Sequence, residues 1–452
     1  MGRSIQERPI VSPATFFHRL SNRHYSITPQ SMRRHQLDAQ GREVNVVEKP
    51  ISVAIGSGNH AITYATSTSQ GLLLELPLSW YRNRSGYAMS PGYDSPAHQD
   101  FRREISPACL FCHSNSDVPA PIDCQRCHGE TAAHTSRPSK GNVFNPRRNI
   151  EVCLQCHLET TSRGIPDSMR QPRRETFSFR PGEPLANYKL YFDRADTAST
   201  DRFEINHAGF RLLQSRCFTE SKGALTCVSC HDPHSAKVRA QACQQCHNSP
   251  HVRAAPSNCA RCHMPKRTAS DAIHVTMTDH KILRNPQFAN PTREDHTPYA
   301  GPIVPFYTKP DPLSLSIVNI REASDAAVQL YRRHLARAPG DDGARVSLAK
   351  MLLRLNRPAE VSSLLDRSTS ADALQTLAVS YAVQGQHQRA RELLERAIER
   401  NPDHTLTWIN LGITLEAMGD HAKALPAFEE AVRLQPDSAE ARQHVQRLRA
   451  PR

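Results

Sequence analysis

Six copies of one pentapeptide constrain this chain more than any other feature. Each copy is Cys-x-x-Cys-His. They are Cys109, Cys112 and His113; Cys124, Cys127 and His128; Cys153, Cys156 and His157; Cys227, Cys230 and His231; Cys243, Cys246 and His247; and Cys259, Cys262 and His263. Together they use 12 of the 13 cysteines. In such a unit the two thiols add across the vinyl groups of one haem, and the adjacent histidine binds its iron from one side. This is the attachment signature of c-type haem, so the expected cofactor is haem c, six covalently attached groups. Zinc would pair two C-x-x-C units per metal and leave the recurring histidine unexplained, and disulfides need no histidine at all.

Composition agrees with a haem-packed domain. Hydrophobic residues make up 38% and aromatics 6% of 452 residues, which is thin for one large side-chain core, and 33 prolines interrupt regular elements. Macrocycles in the core would supply the missing apolar surface. The net charge of +13 raises a nucleic-acid reading. The arginines are scattered, as at Arg102–Arg103, Arg147–Arg148 and Arg173–Arg174, and carry no nucleic-acid motif. Haem propionates offset the excess, so the expected partners are redox proteins and not nucleic acid.

Haem is attached to such motifs outside the bacterial cytoplasm, so a periplasmic or otherwise exported location is expected. The first 26 residues hold no apolar core of a signal peptide. The expectation is therefore a start at Met1 that lies inside a longer reading frame, with a signal peptide and a further motif upstream. No run of about 20 apolar residues implies a transmembrane segment.

The expected fold class is mostly α with much coil, in three parts. Residues 1–283 form a multihaem domain. Within it, 1–35 read as irregular, and 42–82 read as a small β-hairpin region with turns at Gly56–His60 and Ser69–Gly71. Residues 109–263 carry the haem motifs. In between, 158–200 read as a surface excursion and 201–216 as a helix. Residues 284–322 are a Pro-rich connector. From 323 to 452 a 34-residue period relates Leu377 to Leu411, Gly385 to Gly419, Ala390 to Ala424 and Pro402 to Pro436. That period predicts an α-solenoid of helical hairpins, preceded by a degenerate copy with Asn356 where the glycine falls.

The second axial ligand decides whether a haem conducts or reacts. Six histidines stand out by context as distal candidates: His60 in the glycine turn, His134 after the second motif, His207 on the expected helix, His234 in CHDPH, and His274 and His280 in HVTMTDH. His98 and His251 are reserves. Cys217, the thirteenth cysteine, reads as a small buried apolar residue.

The stretches GSGNHAITYATS, LELPLSWY, SPGYD, DCQRCHG, NHAGFRLLQSRCF, LTCVSCHDPH, CARCHMPKR and HVTMTDHKILR resemble bacterial multihaem cytochromes c with C-terminal tetratricopeptide repeats. That group is similar to the tetrahaem cytochrome c-554 of ammonia oxidisers and, more distantly, to pentahaem nitrite reductase. The resemblance implies bis-histidine haems, export and electron transfer. Nitrite reductases often carry C-x-x-C-K at the catalytic haem, whereas every fifth residue here is histidine. The expected function is electron relay, with the repeat domain docking a protein partner. The alternative is a reductase with one open haem that acts on a small nitrogen or sulfur compound. A third reading makes the solenoid the main part and the haems a redox-sensing module.

Overall fold

Strands dominate the first hundred positions. The computed structural model describes residues 5–6, 11–96, 98, 100–129, 149–161, 168–172, 174–197, 201–235, 237–239, 241–247, 259–288, 290–295, 297 and 299–450. β1 (Ile5–Gln6), β2 (Ala14–His18), β3 (Arg23–Ile27), β4 (Ser31–Leu37), β5 (Glu43–Pro50), β6 (Val53–Ile55), β7 (Ala61–Ser67), β8 (Leu73–Tyr81) and β9 (Gly86–Met89) make two antiparallel sheets. One is the meander β2-β3-β4-β5, and the other runs β1-β6-β7-β8-β9. Tyr25, Ile27, Met32 and Val47 of the first share a core with Ala54, Tyr64, Leu76, Leu78 and Met89 of the second. The expectation of irregular chain over 1–35 is corrected: β2, β3 and most of β4 lie there.

The next part is built from short pieces. They are α1 (Pro107–Leu110), α2 (Gln125–His128), α3 (Asn149–His157), β10 (Ser168–Arg170), β11 (Lys189–Arg194), α4 (Ala208–Leu213), α5 (Arg216–Glu220), α6 (Cys227–Cys230), α7 (Cys259–His263), β12 (Lys266–Ala269) and β13 (Ala272–Thr278). Two expectations change here. Residues 158–200 are not a surface excursion, because β11 is buried at Leu190, Tyr191, Phe192 and Asp193. The Pro-rich connector is not simply extended: it supplies β14 (Ile303–Phe306) and α8 (Pro312–Val318). β11 is the middle strand between β10 and β14, and Pro305 of β14 sits opposite Phe192. An edge strand tolerates a residue with no N–H. The molecule is therefore mixed in helix and strand, not mostly α with coil.

The last part is a succession of helices packed in sequence: α9 (Asp325–Arg337), α10 (Asp342–Arg354), α11 (Pro358–Leu365), α12 (Ala371–Val383), α13 (His387–Arg400), α14 (Thr405–Ala417), α15 (His421–Leu434) and α16 (Ala439–Arg449). The 34-residue period is explicit in the turns. Gly385 and Gly419 adopt φ of 75° and 78°, and Asn356, in the degenerate copy, adopts 55°. Asparagine is the side chain best able to replace glycine in that left-handed region. Small residues face large ones across the hairpins: Gly412 lies under the ring of Phe428, which is fully buried and stacks on His444 at 4.2 Å. Phe428→Ala is expected to cost about 3–5 kcal/mol of solenoid stability in urea denaturation, because the cavity cannot close against helix backbone.

The repeats are joined to the first part through buried charge. Arg34, with Nε 2.7 Å from Asp100 Oδ2, also lies 3.6 Å from Asp437 in the turn before α16, and Arg23 pairs with the same Asp437. Lys49 Nζ meets Asp403 Oδ1 at 3.0 Å, and Arg102 donates to Gln435 Oε1 at 2.7 Å.

Candidate cofactor-binding site

Each motif starts on a short helical turn. The backbone N–H of His128, His231 and His247 donates to the carbonyl of the first cysteine of its own motif, at 2.9, 2.8 and 3.0 Å. One such turn sets the two sulfurs of i and i+3 on a common side, with the histidine following directly. Sulfurs of different motifs meet. Cys112 lies in hydrogen-bonding contact with Cys156, Cys153 with Cys227, and Cys243 with Cys259. The attachment points of the first, third and fourth units therefore converge, and so do those of the fifth and sixth. The contact with Cys227 and burial raise the Cys153 thiol, and the contact with Cys112 and burial raise that of Cys156.

The side-chain core beneath these motifs is one-sided. Phe111, Ile150, Leu154, Leu158, Tyr188, Tyr191 and Phe210 pack around α3 and α4. Among the described residues from Leu213 to Thr268, no apolar side chain is buried; the buried residues there are Ser215 and Arg267. His113 and His157 have accessible rings, yet burial holds both pKa values below the ordinary histidine value.

Two motif histidines lie beside a second histidine with nearly parallel rings. The rings of His128 and His234 have centroids 5.9 Å apart and planes 16° apart. Those of His231 and His280 are separated by 6.1 Å and 27°. Two imidazoles that bind one metal ion from opposite sides through Nε2 have centroids about 6 Å apart, from two metal–nitrogen bonds of about 2.1 Å and two ring radii of about 1.1 Å. Local structure explains the first pair. Asp232 Oδ1 accepts from the backbone N–H of His234 at 2.9 Å, and this turn swings His234 away from its own motif towards the second one.

Several rings hold the tautomer a metal needs. A ring whose Nδ1–H donates keeps its lone pair on Nε2. His263 Nδ1 donates to Leu283 O at 2.8 Å, His280 Nδ1 to Thr278 O at 3.0 Å, His60 Nδ1 to Thr276 O at 3.2 Å and His157 Nδ1 to Asn206 Oδ1 at 3.2 Å. A porphyrin provides four iron ligands itself, so the protein need supply only such opposed pairs. Among the described residues no cluster of three or more His, Cys, Asp or Glu side chains is gathered for a metal ion.

Other distal candidates are placed differently. His207 is fully buried, and its Nδ1 accepts from Glu204 N–H at 3.1 Å, which leaves the proton on Nε2, 3.8 Å from Glu204 Oε2. Burial lowers its pKa to about 4. His274 Nε2 lies 2.6 Å from Asp94 Oδ2, and Arg84 Nη1 approaches its Nδ1 at 2.7 Å, so both ring nitrogens already face protein groups. His98, one reserve, is buried between Arg23 and Tyr25, and its pKa falls to about 3 through burial and the Arg23 charge. His134 and His251 lie outside the described residues. Cys217 is half-buried.

Sequence reasoning passed over the groups that hold these histidines. Asn206 bridges the third motif. Asp279, just before His280, sits between the buried guanidiniums of Arg211 and Arg267. Both flank a candidate ligand directly, and that adjacency was the available signal.

The solenoid is a tetratricopeptide-repeat domain: the tetratricopeptide repeat family matches residues 369–437. An uncharacterized protein y4yS of Sinorhizobium fredii is 32% identical over 100 residues, 21% of this chain and 55% of that protein. Protein FlbA of Caulobacter vibrioides is 26% identical over 121 residues, 26% of this chain and 20% of that protein. The chain thus spans about half of the first relative's length and a fifth of the second's. Among solved structures, MamA is 26% identical with a TM-score of 0.27, covering 27% of this chain and 75% of that one. Among the described residues no helix is long and apolar enough to cross a membrane.

Proposed function

We propose that this chain is an exported multihaem c-type cytochrome that relays electrons, with its repeat domain docking a protein partner. Two histidine pairs carry the reading: their rings are nearly parallel and about 6 Å apart, and each pair has one member in a C-x-x-C-H unit. The cysteines of the six motifs would hold the haems covalently, His113, His128, His157, His231, His247 and His263 would bind iron from one side, and His234 and His280 would close the second and fourth sites. When bound, haem supplies a one-electron couple whose potential follows its axial ligands and surroundings. The chain's own work is to hold the rings in the right tautomer and to bring the cysteines of neighbouring motifs together.

Docking is supported by apolar side chains left exposed on the inner helices of the repeats: Val383 of α12, and Leu406 and Ile413 of α14. Solenoids of stacked hairpins present such a concave face to partners.

The test is production in a host that attaches haem c in its periplasm. Six haems per chain are expected by mass and by haemochrome absorbance. His234→Ala and His280→Ala are each expected to convert one low-spin signal to high-spin in electron paramagnetic resonance. A chain recovered without covalent haem overturns the reading. A native high-spin signal that responds to carbon monoxide would replace relay by chemistry at an open iron.

A further inference from the structure

Asn206 touches two residues of the third motif at once. Its Nδ2 donates to Cys156 O at 2.6 Å, and its Oδ1 accepts from His157 Nδ1 at 3.2 Å. The first bond settles which end of the amide is nitrogen, so the second must run from ring N–H to amide oxygen. Cys156 O lies at the C-terminus of α3, where carbonyls lack an intrahelical N–H, and it accepts from this amide and from the Cys112 thiol at 3.7 Å.

The backbone is arranged for this contact. Asn206 adopts φ of 64°, in the left-handed region that asparagine, aspartate and glycine enter most easily. Three residues on, Gly209 lies so close to α3 that a Cβ there would stand 2.6 Å from His157 O and 2.5 Å from Leu154 Cδ2. Only glycine lets α4 approach α3 closely enough for Asn206 to reach the ring. The Nδ1–H groups of His263, His280 and His60 donate to backbone carbonyls, at Leu283, Thr278 and Thr276. Unlike those three rings, His157 has a side-chain acceptor, whose chemistry a single substitution can change.

We propose that Asn206 is a positioning residue that sets the electron donation of His157 and thereby the reduction potential of the third haem. The proposal rests on the reading of the motifs as haem sites. A neutral amide oxygen leaves the Nδ1 proton on the ring. A carboxylate in its place forms a charge-assisted bond, about twice as strong, and gives the imidazole anionic character. That favours ferric iron and lowers the potential. Removing the acceptor does the reverse.

The experiment is spectroelectrochemical reduction of the haem-loaded chain, comparing Asn206→Asp and Asn206→Gly with the parent. Both substitutions keep the left-handed backbone available, so both preserve the approach of α4. One haem of the six is expected to move to lower potential in Asn206→Asp and to higher potential in Asn206→Gly, with an altered low-spin signal at that haem and unchanged haem content. Potentials that stay the same in both variants, with six haems bound, overturn the role of Asn206 alone. Absence of covalent haem in the parent overturns the underlying reading instead.

Discussion

Produced where haem cannot be attached, the chain is expected to lose its structure between Leu213 and Cys262 while keeping both ends folded. Ordering one residue costs about 1–2 kcal/mol of backbone entropy, and a segment must bury apolar surface to offset it. The first hundred residues do so through the core shared by two sheets, and the repeats do so through a continuous core from Ala327 to Ala441. The segment carrying the last three motifs buries only Ser215 and Arg267 among its described residues. Up to Cys262 its described backbone hydrogen bonds are local turns and the short bridge of His231 to Val238, each bond worth about 1 kcal/mol net, and only from His263 on does it pair with Leu283 and β13. Amide exchange read by mass spectrometry should find protection near zero across 213–262 without haem, and full protection with it. The sheets and the repeats should exchange alike in both preparations. Equal protection of 213–262 in the two would mean that the segment folds without a prosthetic group, and haem would then not be what orders it.

What could be read from the chain follows from how local each signal is. The 34-residue period was plain because every repeat solves the same packing problem, down to the left-handed turn at Asn356, Gly385 and Gly419. The motifs were plain because their chemistry lies within five residues. The strands β2 to β4 were hidden because their inward positions are not apolar: β3 buries Arg23 beside Tyr25 and Ile27, and β4 buries Arg34 beside Met32. A pattern of alternating hydrophobicity cannot show a strand whose inner face carries guanidinium, and their partner Asp437 lies some four hundred residues away. β11 was hidden for a related reason, since it pairs with β14 across more than a hundred residues, inside what reads as a proline-rich linker. The histidine candidates divided by environment. His234 and His280 reached a motif histidine, while His207 and His274 turned to Glu204 and Asp94, carboxylates that no spacing argument connects to them.

Asp279→Ala is expected to destabilise the central part by about 3–5 kcal/mol, the cost of stranding buried charge. Asp279 is fully buried and takes Arg211 bidentately, Nε to Oδ1 at 2.9 Å and Nη2 to Oδ2 at 2.6 Å, while Arg267 Nη1 adds a third bond to Oδ2 at 2.9 Å. Burial alone would raise this carboxyl, but the hydrogen bonds and charges of Arg211 and Arg267, with the N–H of Lys281, hold it below the usual carboxylate value. Asp201 is the other carboxylate in reach of both arginines, at 2.8 and 3.1 Å, and it is half exposed. Removing Asp279 therefore leaves two guanidiniums in the interior with one partly hydrated partner. The same carboxylate joins α4, through Arg211, to the β12–β13 hairpin, through Arg267, one residue before His280. Loss of stability should then come with loss of the low-spin signal expected for the His231–His280 pair under the proposed haem reading, before the signal expected for the His128–His234 pair changes. Replacing Arg211 by Met together with Asp279 by Ala should recover part of the stability, because it removes one stranded charge, without restoring that signal. Denaturation and electron paramagnetic resonance on the same three proteins distinguish the two effects: if the signals of both pairs fall together, Asp279 holds up the domain as a whole and has no particular hold on His280.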